Sequence, residues 1–208
     1  MSETHAIEPL HIGGDCRIAD LSEADLNRLT RVSGYLDASD TTNLTLPALK
    51  SCDFLSARDT TDLTLPALER VGGFLDAYRS TGLTLPLLTS VGGYLNAINS
   101  TGLTLPALKS VGGKLYAFNT TALTLPLLTS VDGDLYASYT TNLTLPALKS
   151  VDGDIDAHDA TGLVVPAAIA REYSIPTKYL AAVPEQSHAE KALSELQSND
   201  ESLNQGIK

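Results

Sequence analysis

A phrase close to Leu-Thr-Leu-Pro-Ala-Leu recurs along most of the chain, and its prolines, Pro47, Pro66, Pro86, Pro106, Pro126, Pro146 and Pro166, are spaced by 19 residues once and by 20 five times. A fixed period of this length restricts the chain to stacked repeats. One such unit cannot bury its apolar face alone and has to lie against its neighbours. The whole unit can be read between Thr101 and Thr120, where Leu103, Thr104, Leu105, Pro106, Ala107, Leu108, Lys109, Ser110, Val111, Gly112, Gly113, Lys114, Leu115, Tyr116 and Ala117 follow in order.

Within the unit, Tyr94-Leu95-Asn96-Ala97-Ile98 alternates with period two, so Leu95 and Ala97 share a face and the segment reads as a short strand. The Leu column (Leu36, Leu55, Leu75, Leu95, Leu115, Leu135, Ile155) and the Ala column (Ala38, Ala57, Ala77, Ala97, Ala117, Ala137, Ala157) barely vary, as residues stacked inside a narrow coil must. Leu103, Leu105, Leu108 and Val111 form a second, less regular inward set. A proline after Leu105 cannot donate to a central ladder, so it marks a corner or the first turn of a short helical piece. The pattern predicts a mainly β fold, a right-handed β-solenoid of about seven coils with helical or irregular caps. At one strand per coil, the ladder from Tyr35 to Ala157 is about 30 Å long.

Before each strand stands Gly34, Gly73, Gly93, Gly113, Gly133 or Gly153, which a positive φ or a tight bend would explain. Coil two, Lys50-Ser51-Cys52-Asp53-Phe54-Leu55, is one residue short and lacks this glycine, so a local kink is expected there. Cys52 takes the place of the inward valine and reads as a small buried hydrophobe. With Cys16 as its only companion, no disulfide framework is expected.

The organisation expected is a cap over residues 1–30, repeats over 31–170, and a further cap with a mobile tail over 171–208. Ser22 with Asp25 resembles a capping box and, with an apolar face, suits a helix or irregular turn over residues 20–30. Ser187 to Gln197 reads as weakly helical and Asn199 to Lys208 as a polar tail. The formal charge of −11 argues against unassisted binding to nucleic acid. No apolar run is long enough to span a bilayer, and the first residues do not read as a secretory leader, so a cytoplasmic location is expected.

The phrase Leu105-Pro106-Ala107-Leu108-Lys109-Ser110-Val111-Gly112-Gly113 resembles the short leucine-rich-type repeats of receptor-L-domain-like and bacterial or phage proteins. The resemblance covers residues 30–170 and implies a leucine-rich-repeat-like scaffold for an interaction surface. It also implies a setting in which small acidic proteins antagonise host defence. The asparagine ladder of that family is incomplete here: Asn43 and Asn142 hold the position, while Asp62, Gly82, Gly102, Ala122 and Gly162 replace it. Both a curved horseshoe and a straighter solenoid remain open.

Constant columns serve packing, so recognition is sought in the outward residues that flank the strand's Leu and Ala. Read coil by coil they are Tyr35, Asp37, Ser39; Phe54, Ser56, Arg58; Phe74, Asp76, Tyr78; Tyr94, Asn96, Ile98; Lys114, Tyr116, Phe118; Asp134, Tyr136, Ser138; and Asp154, Asp156, His158. All three phenylalanines and five of the eight tyrosines fall here, which singles out this wall as a binding surface or a covered one. The column Tyr35, Phe54, Phe74, Tyr94 is equally explained by rings that stabilise neighbouring strands. The expected partner site is Tyr78, Ile98, Tyr116, Phe118, Tyr136 and Tyr139, with electrostatic contacts from Arg58, Arg79 and Lys114 at one end and Asp134, Asp154 and Asp156 at the other. A homodimer through the same face would bury the rings as well.

Other chemistries find less support. Asp132-Gly133-Asp134 and Asp152 to Asp156 superficially resemble calcium loops but lack the loop length and closing glutamate, and no metal or cofactor is expected. His5, His11, His158 and His188 have no metal-ligand spacing, no nucleophile is paired with a base, and no glycine pair is followed by a phosphate-binding Lys-Ser or Lys-Thr. The columns Thr42 to Thr161 and Thr45 to Thr144 would be hydroxyl ladders with a structural role; ice binding is weighed and set behind it. Glycosylation sequons such as Asn43-Leu44-Thr45 are by-products of the repeat. The reading is therefore a non-enzymatic protein that binds a protein partner through an aromatic face. A nucleotide-sequestering sponge and an acidic nucleic-acid mimic are the alternatives.

Overall fold

The structure is a computed structural model that describes residues 8–181. It is a β-solenoid built on a 14-stranded sheet in which every strand pairing is parallel. The strands are β1 (Leu10–Ile12), β2 (Cys16–Arg17), β3 (Leu29–Asp37), β4 (Ser51–Ser56), and then two per coil: β5 (Arg70–Val71), β6 (Leu75–Asp76), β7 (Ser90–Val91), β8 (Leu95–Asn96), β9 (Ser110–Val111), β10 (Leu115–Tyr116), β11 (Ser130–Val131), β12 (Leu135–Tyr136), β13 (Ser150–Val151) and β14 (Ile155–Asp156). Odd-numbered strands from β5 stack as a first ladder through the Ser-Val positions, and even-numbered ones from β6 stack as a second ladder through the Leu positions. β3 and β4 run through both ladders.

The side of each coil that carries Leu103, Leu105 and Leu108 or their counterparts has no such strands among the described residues, in line with the less regular wall expected there. Two further columns, Thr42 to Thr161 and Thr45 to Thr144, close each coil with single parallel bridges. The Leu-Pro corner is a turn and not a helix: Leu108 N donates to Leu105 O at 3.3 Å across Pro106 and Ala107, the arrangement in which proline presets the first central residue of a β-turn.

The core is one continuous stack. Leu95, Ala97, Leu105, Leu108, Val111 and Leu115 are all at most 1% exposed, as are their counterparts through most of the array. Each buried Leu contributes on the order of 1.5–3 kcal/mol, and only the lateral neighbour coils make that burial complete. Cys52 sits in this stack, and burial pushes its thiol up to about 12, consistent with an inert hydrophobe.

One expectation needs correction here. The glycines before the second-ladder strands do not have positive φ; they are there because coils approach closely. A Cβ on Gly92 would lie 2.0 Å from the Gly72 carbonyl oxygen, and one on Gly93 would lie 3.0 Å from the Gly73 carbonyl carbon. Positive φ falls instead at the corner after the strand (Asp59, Arg79, Asn99, Asn119, Tyr139) and between the two threonine columns (Asn43, Asp62, Gly82, Gly102, Ala122, Asn142). The kink expected at the short second coil takes the form of a register shift: β4 runs uninterrupted, and its pairing with β3 slips between Val32 and Tyr35.

The ends differ. Helix α1 (Glu23–Arg28) follows Ser22, whose Oγ accepts from Asp25 N at 3.2 Å, and β1 and β2 before it already pair with β3. After the last coil come helix α2 (Ala167–Glu172) and a chain that returns to pair Leu180 with Leu163. The Tyr173 hydroxyl donates to Val151 O at the end of the first ladder. Among the described residues no helix is long and apolar enough to cross a membrane. The helical and tail segments expected at Ser187–Gln197 and Asn199–Lys208 lie outside the described residues.

Candidate functional site

The outward residues of the second ladder form a valley between two ridges. The strand's outward residue lies in the valley, and the residues two before and two after it form the ridges, because successive side chains alternate across a strand. Along the first coils the valley is polar, with Asp37, Ser56, Asp76 and Asn96, and the leading ridge is aromatic. Phe74 packs on Tyr35, Phe54 and Tyr94 at ring separations of 6.0, 5.1 and 4.9 Å, the last pair parallel to within 2°. Burial within this stack raises the Tyr94 phenol above its usual range.

The polar valley residues have an internal task that sequence reasoning missed. The Asp and Asn among them accept the backbone N–H two residues ahead: Asp37 from Ser39 at 3.1 Å, Asp76 from Tyr78 at 3.1 Å, Asn96 from Ile98 at 3.1 Å and Asp156 from His158 at 3.3 Å, whereas Ser56 bonds Ser39 Oγ at 2.7 Å instead. This is an Asx turn repeated along the solenoid, and it rigidifies the corner before the positive-φ residue that follows it. The signal was present in the sequence as a column of Asp and Asn, but its partner is a backbone atom that only the folded chain brings within reach.

Tyr116 and Tyr136 break the column. They occupy the valley in the next two coils, half-buried, with rings 5.2 Å apart and parallel to within 4°. Among the described residues, Phe118 N and Ser138 N accordingly find no protein acceptor. The leading ridge turns ionic at the same point: Lys114 Nζ lies 2.8 Å from Asp134 Oδ2 and 5.6 Å from the centre of the Tyr136 ring, and Tyr136 donates its hydroxyl to Asp134 at 3.0 Å. Asp134 also accepts from Asp154 N at 3.0 Å. The Lys114 hydrogen bond, then that of Asp154 N, then that of Tyr136 hold the Asp134 carboxyl down to about 2, and the bond to Asp134 raises Lys114. On the trailing ridge Phe118 and Tyr139 meet edge to face at 5.3 Å, and Tyr139 meets His158 at 4.9 Å.

The structure thus places Tyr116 and Tyr136 in one stacked pair and Phe118 and Tyr139 in an edge-to-face pair, with Ile98 and Tyr78 one and two coils back on the ridge that carries Phe118. Tyr94 joins the two halves, its ring 6.1 Å from that of Tyr116. Phe118 and Tyr139 are 40% and 47% exposed, so the rings are presented outward. The cations expected to reach a partner are already engaged. Arg58 pairs with the buried Asp76 at 3.1 Å and covers the Tyr78 ring at 4.8 Å, and Arg79 pairs with Asp59 at 3.2 Å. Asp154 and Asp156 lie in the last coil. Burial raises the Asp156 carboxyl, but bonds from His158 and Ser138 outweigh it and leave the group below its usual range.

Ser138, His158 and Asp156 lie close together without the geometry of a nucleophilic relay. Ser138 Oγ at 2.9 Å and Asp156 Oδ1 at 2.7 Å both meet the same ring nitrogen, Nδ1, whereas a relay needs one partner on each nitrogen. Among the described residues no group of three or more His, Cys, Asp and Glu is arranged to hold a metal ion. The threonine columns fill their structural role in part. Some of their hydroxyls satisfy turn carbonyls, Thr84 to Gly82 O at 3.2 Å, Thr104 to Gly102 O at 3.4 Å and Thr161 to Thr140 O at 3.4 Å, but the shorter bonds come from a neighbouring position, Thr60 to Ala57 O at 3.0 Å and Thr120 to Ala117 O at 2.9 Å. Thr101 and Thr104 stand on either side of Gly102, where the chain turns at φ 67°.

No family model, curated protein or solved structure matches this chain.

Proposed function

We propose that the chain is a non-enzymatic binding protein that docks a protein partner on the ring cluster Tyr116, Phe118, Tyr136 and Tyr139. The observation that carries this reading is the valley column. Four Asp and Asn residues there each take a backbone N–H; Tyr116 and Tyr136, like Ser56 before them, forgo that bond, but they stand there as large rings. A forgone hydrogen bond costs on the order of 0.5–1.5 kcal/mol, so the rings have a use other than holding the solenoid together. Exposed, pre-stacked aromatic rings with few rotamers are the kind of group that dominates protein interfaces.

The alternatives fit less well. A sponge that stacks bases needs an open slot and a free cation, but Tyr116 and Tyr136 already stack on each other and Lys114 is paired with Asp134. An acidic mimic needs an unbroken run of free carboxylates, whereas Asp76 and Asp134 are engaged internally. The repeat phrase supports a leucine-rich-type array of bacterial or phage kind, for which a cytoplasmic inhibitor of a host protein is the matching role. The test is native mass spectrometry after affinity purification from bacterial lysate, comparing the natural chain with the triple variant Tyr116→Ser, Phe118→Ser, Tyr136→Ser. The partner mass is expected to disappear, with affinity down by about 100-fold or more and an unchanged circular dichroism spectrum. Equal capture by both proteins overturns the site, and a doubled mass lost in the variant identifies a homodimer as the occupant.

A further inference from the structure

The second ladder ends differently from the way it runs. In each coil its backbone N–H groups donate to carbonyls of the coil that follows: Leu135 to Asp154 O at 2.8 Å, Ala137 to Asp156 O at 2.6 Å and Tyr139 to His158 O at 3.0 Å. The same positions in the last coil are Ile155, Ala157 and Asp159, and among the described residues their N–H groups find no acceptor. The floor beside them is open as well. Ile155 is half-buried and Ala157 is 7% exposed, whereas Leu135 and Ala137 one coil earlier are both 0% exposed. Tyr173, Pro176 and Tyr179 wall this edge into a groove of about 320 Å³. At the end of the first ladder the Tyr173 hydroxyl takes up one of the outermost carbonyls, Val151 O.

We propose that this edge receives an extended segment of a partner protein in which apolar and basic residues alternate, added as the next rung of the second ladder. A parallel strand presents carbonyls at alternate residues, the spacing of the three free donors, so main-chain bonds supply the register. Its alternation then sorts the side chains. One set enters the groove over Ile155 and Ala157, and the other stands outward over Asp154, Asp156 and Asp159, where positive charge is complementary. The interior of the molecule already shows the matching outward contact. The Asp134 carboxylate accepts the N–H of Asp154 one coil on, and Asp154 holds the same position toward an incoming rung.

Hydrogen exchange on the full chain tests the edge directly. The amides of Ile155, Ala157 and Asp159 are expected to exchange about 100-fold faster than those of Leu135, Ala137 and Tyr139. Adding the synthetic peptide Lys-Leu-Lys-Ala-Lys-Leu-Lys should protect those three amides. Its affinity should exceed by about tenfold that of a peptide of the same composition with the lysines in one block, and should fall about tenfold in the double variant Asp154→Asn, Asp156→Asn. The variant Ile155→Glu, checked for an unchanged circular dichroism spectrum, should abolish the protection by charging the floor. Amides protected in the chain alone overturn the proposal: at every concentration, the chain's own remaining residues fill the edge, and with protection that grows with concentration, a second copy does. Equal affinity for the two peptides overturns it too, reducing the effect to bulk charge.

Discussion

Asn96 and Tyr116 are paired rungs of one ladder, at the same position of adjacent coils, and they do different things. Asn96 turns its side chain back to hold the N–H of Ile98. Tyr116 turns outward onto Tyr136 and leaves the N–H of Phe118 without a protein partner. Most coils before this boundary spend the valley residue on their own corner, with rings on the leading ridge. The next two coils place rings in the valley and ions on the ridge, and the last coil returns to an Asx side chain, Asp156. Since the inward residues are the same on both sides, the difference lies wholly in the surface, and a solenoid can alter one coil's face without disturbing its neighbour's core.

The largest effect expected is one that should not distinguish the two halves. Leu95→Ala and Leu115→Ala each remove a fully buried side chain and should cost about 2–5 kcal/mol in urea unfolding. Equal costs would confine the contrast to the surface, and a much smaller cost at Leu115 would break it. Tyr116→Asn sharpens the comparison most. It should restore the Asx turn and raise stability by about 0.5–1 kcal/mol, while partner affinity falls by about tenfold, read by calorimetry on the same preparation. Tyr139→Asn acts on a residue at φ 57°. Asparagine tolerates that conformation better, so a gain of about 0.5 kcal/mol is expected, together with weaker partner binding.

The smallest effect concerns pH. The Asp134 carboxyl is held down to about 2, below its unfolded value, so its contribution is fully present above the unfolded value and is lost as pH falls through about 2. Stability of the natural chain and of Asp134→Asn should therefore differ by the same amount throughout neutral pH and converge only in strong acid, as followed by denaturant midpoints. Convergence already at pH 5 would mean that the ion pair with Lys114 does not form.

Much of this could be read in the sequence. The period of the prolines, the inward Leu and Ala columns and the wall that carries the rings all follow from spacing, because burial in a stacked coil forces identical residues into identical places. The roles of Asp76 and Asn96 could not be read, since an Asx side chain in a strand looks like any solvated residue until the backbone it bonds is folded beside it. The glycines were read as needing a positive φ or a tight bend for a related reason: Gly93 lies against the carbonyl carbon of Gly73, twenty residues away in the chain, an approach no local rule anticipates. The internal pairing of Arg58 could not be read either, because its partner Asp76 lies across coils.

By itself, then, the sequence determined the stack: one repeat, one inward pattern and one face whose outward residues change along the array. Only the tertiary structure decided which of those outward residues serve the fold and which are left over. That division rests on hydrogen bonds and ion pairs between coils, such as Arg58 to Asp76 and Lys114 to Asp134, whose partners are 18 and 20 residues apart in the chain and are brought together by the lateral stacking of the ladder.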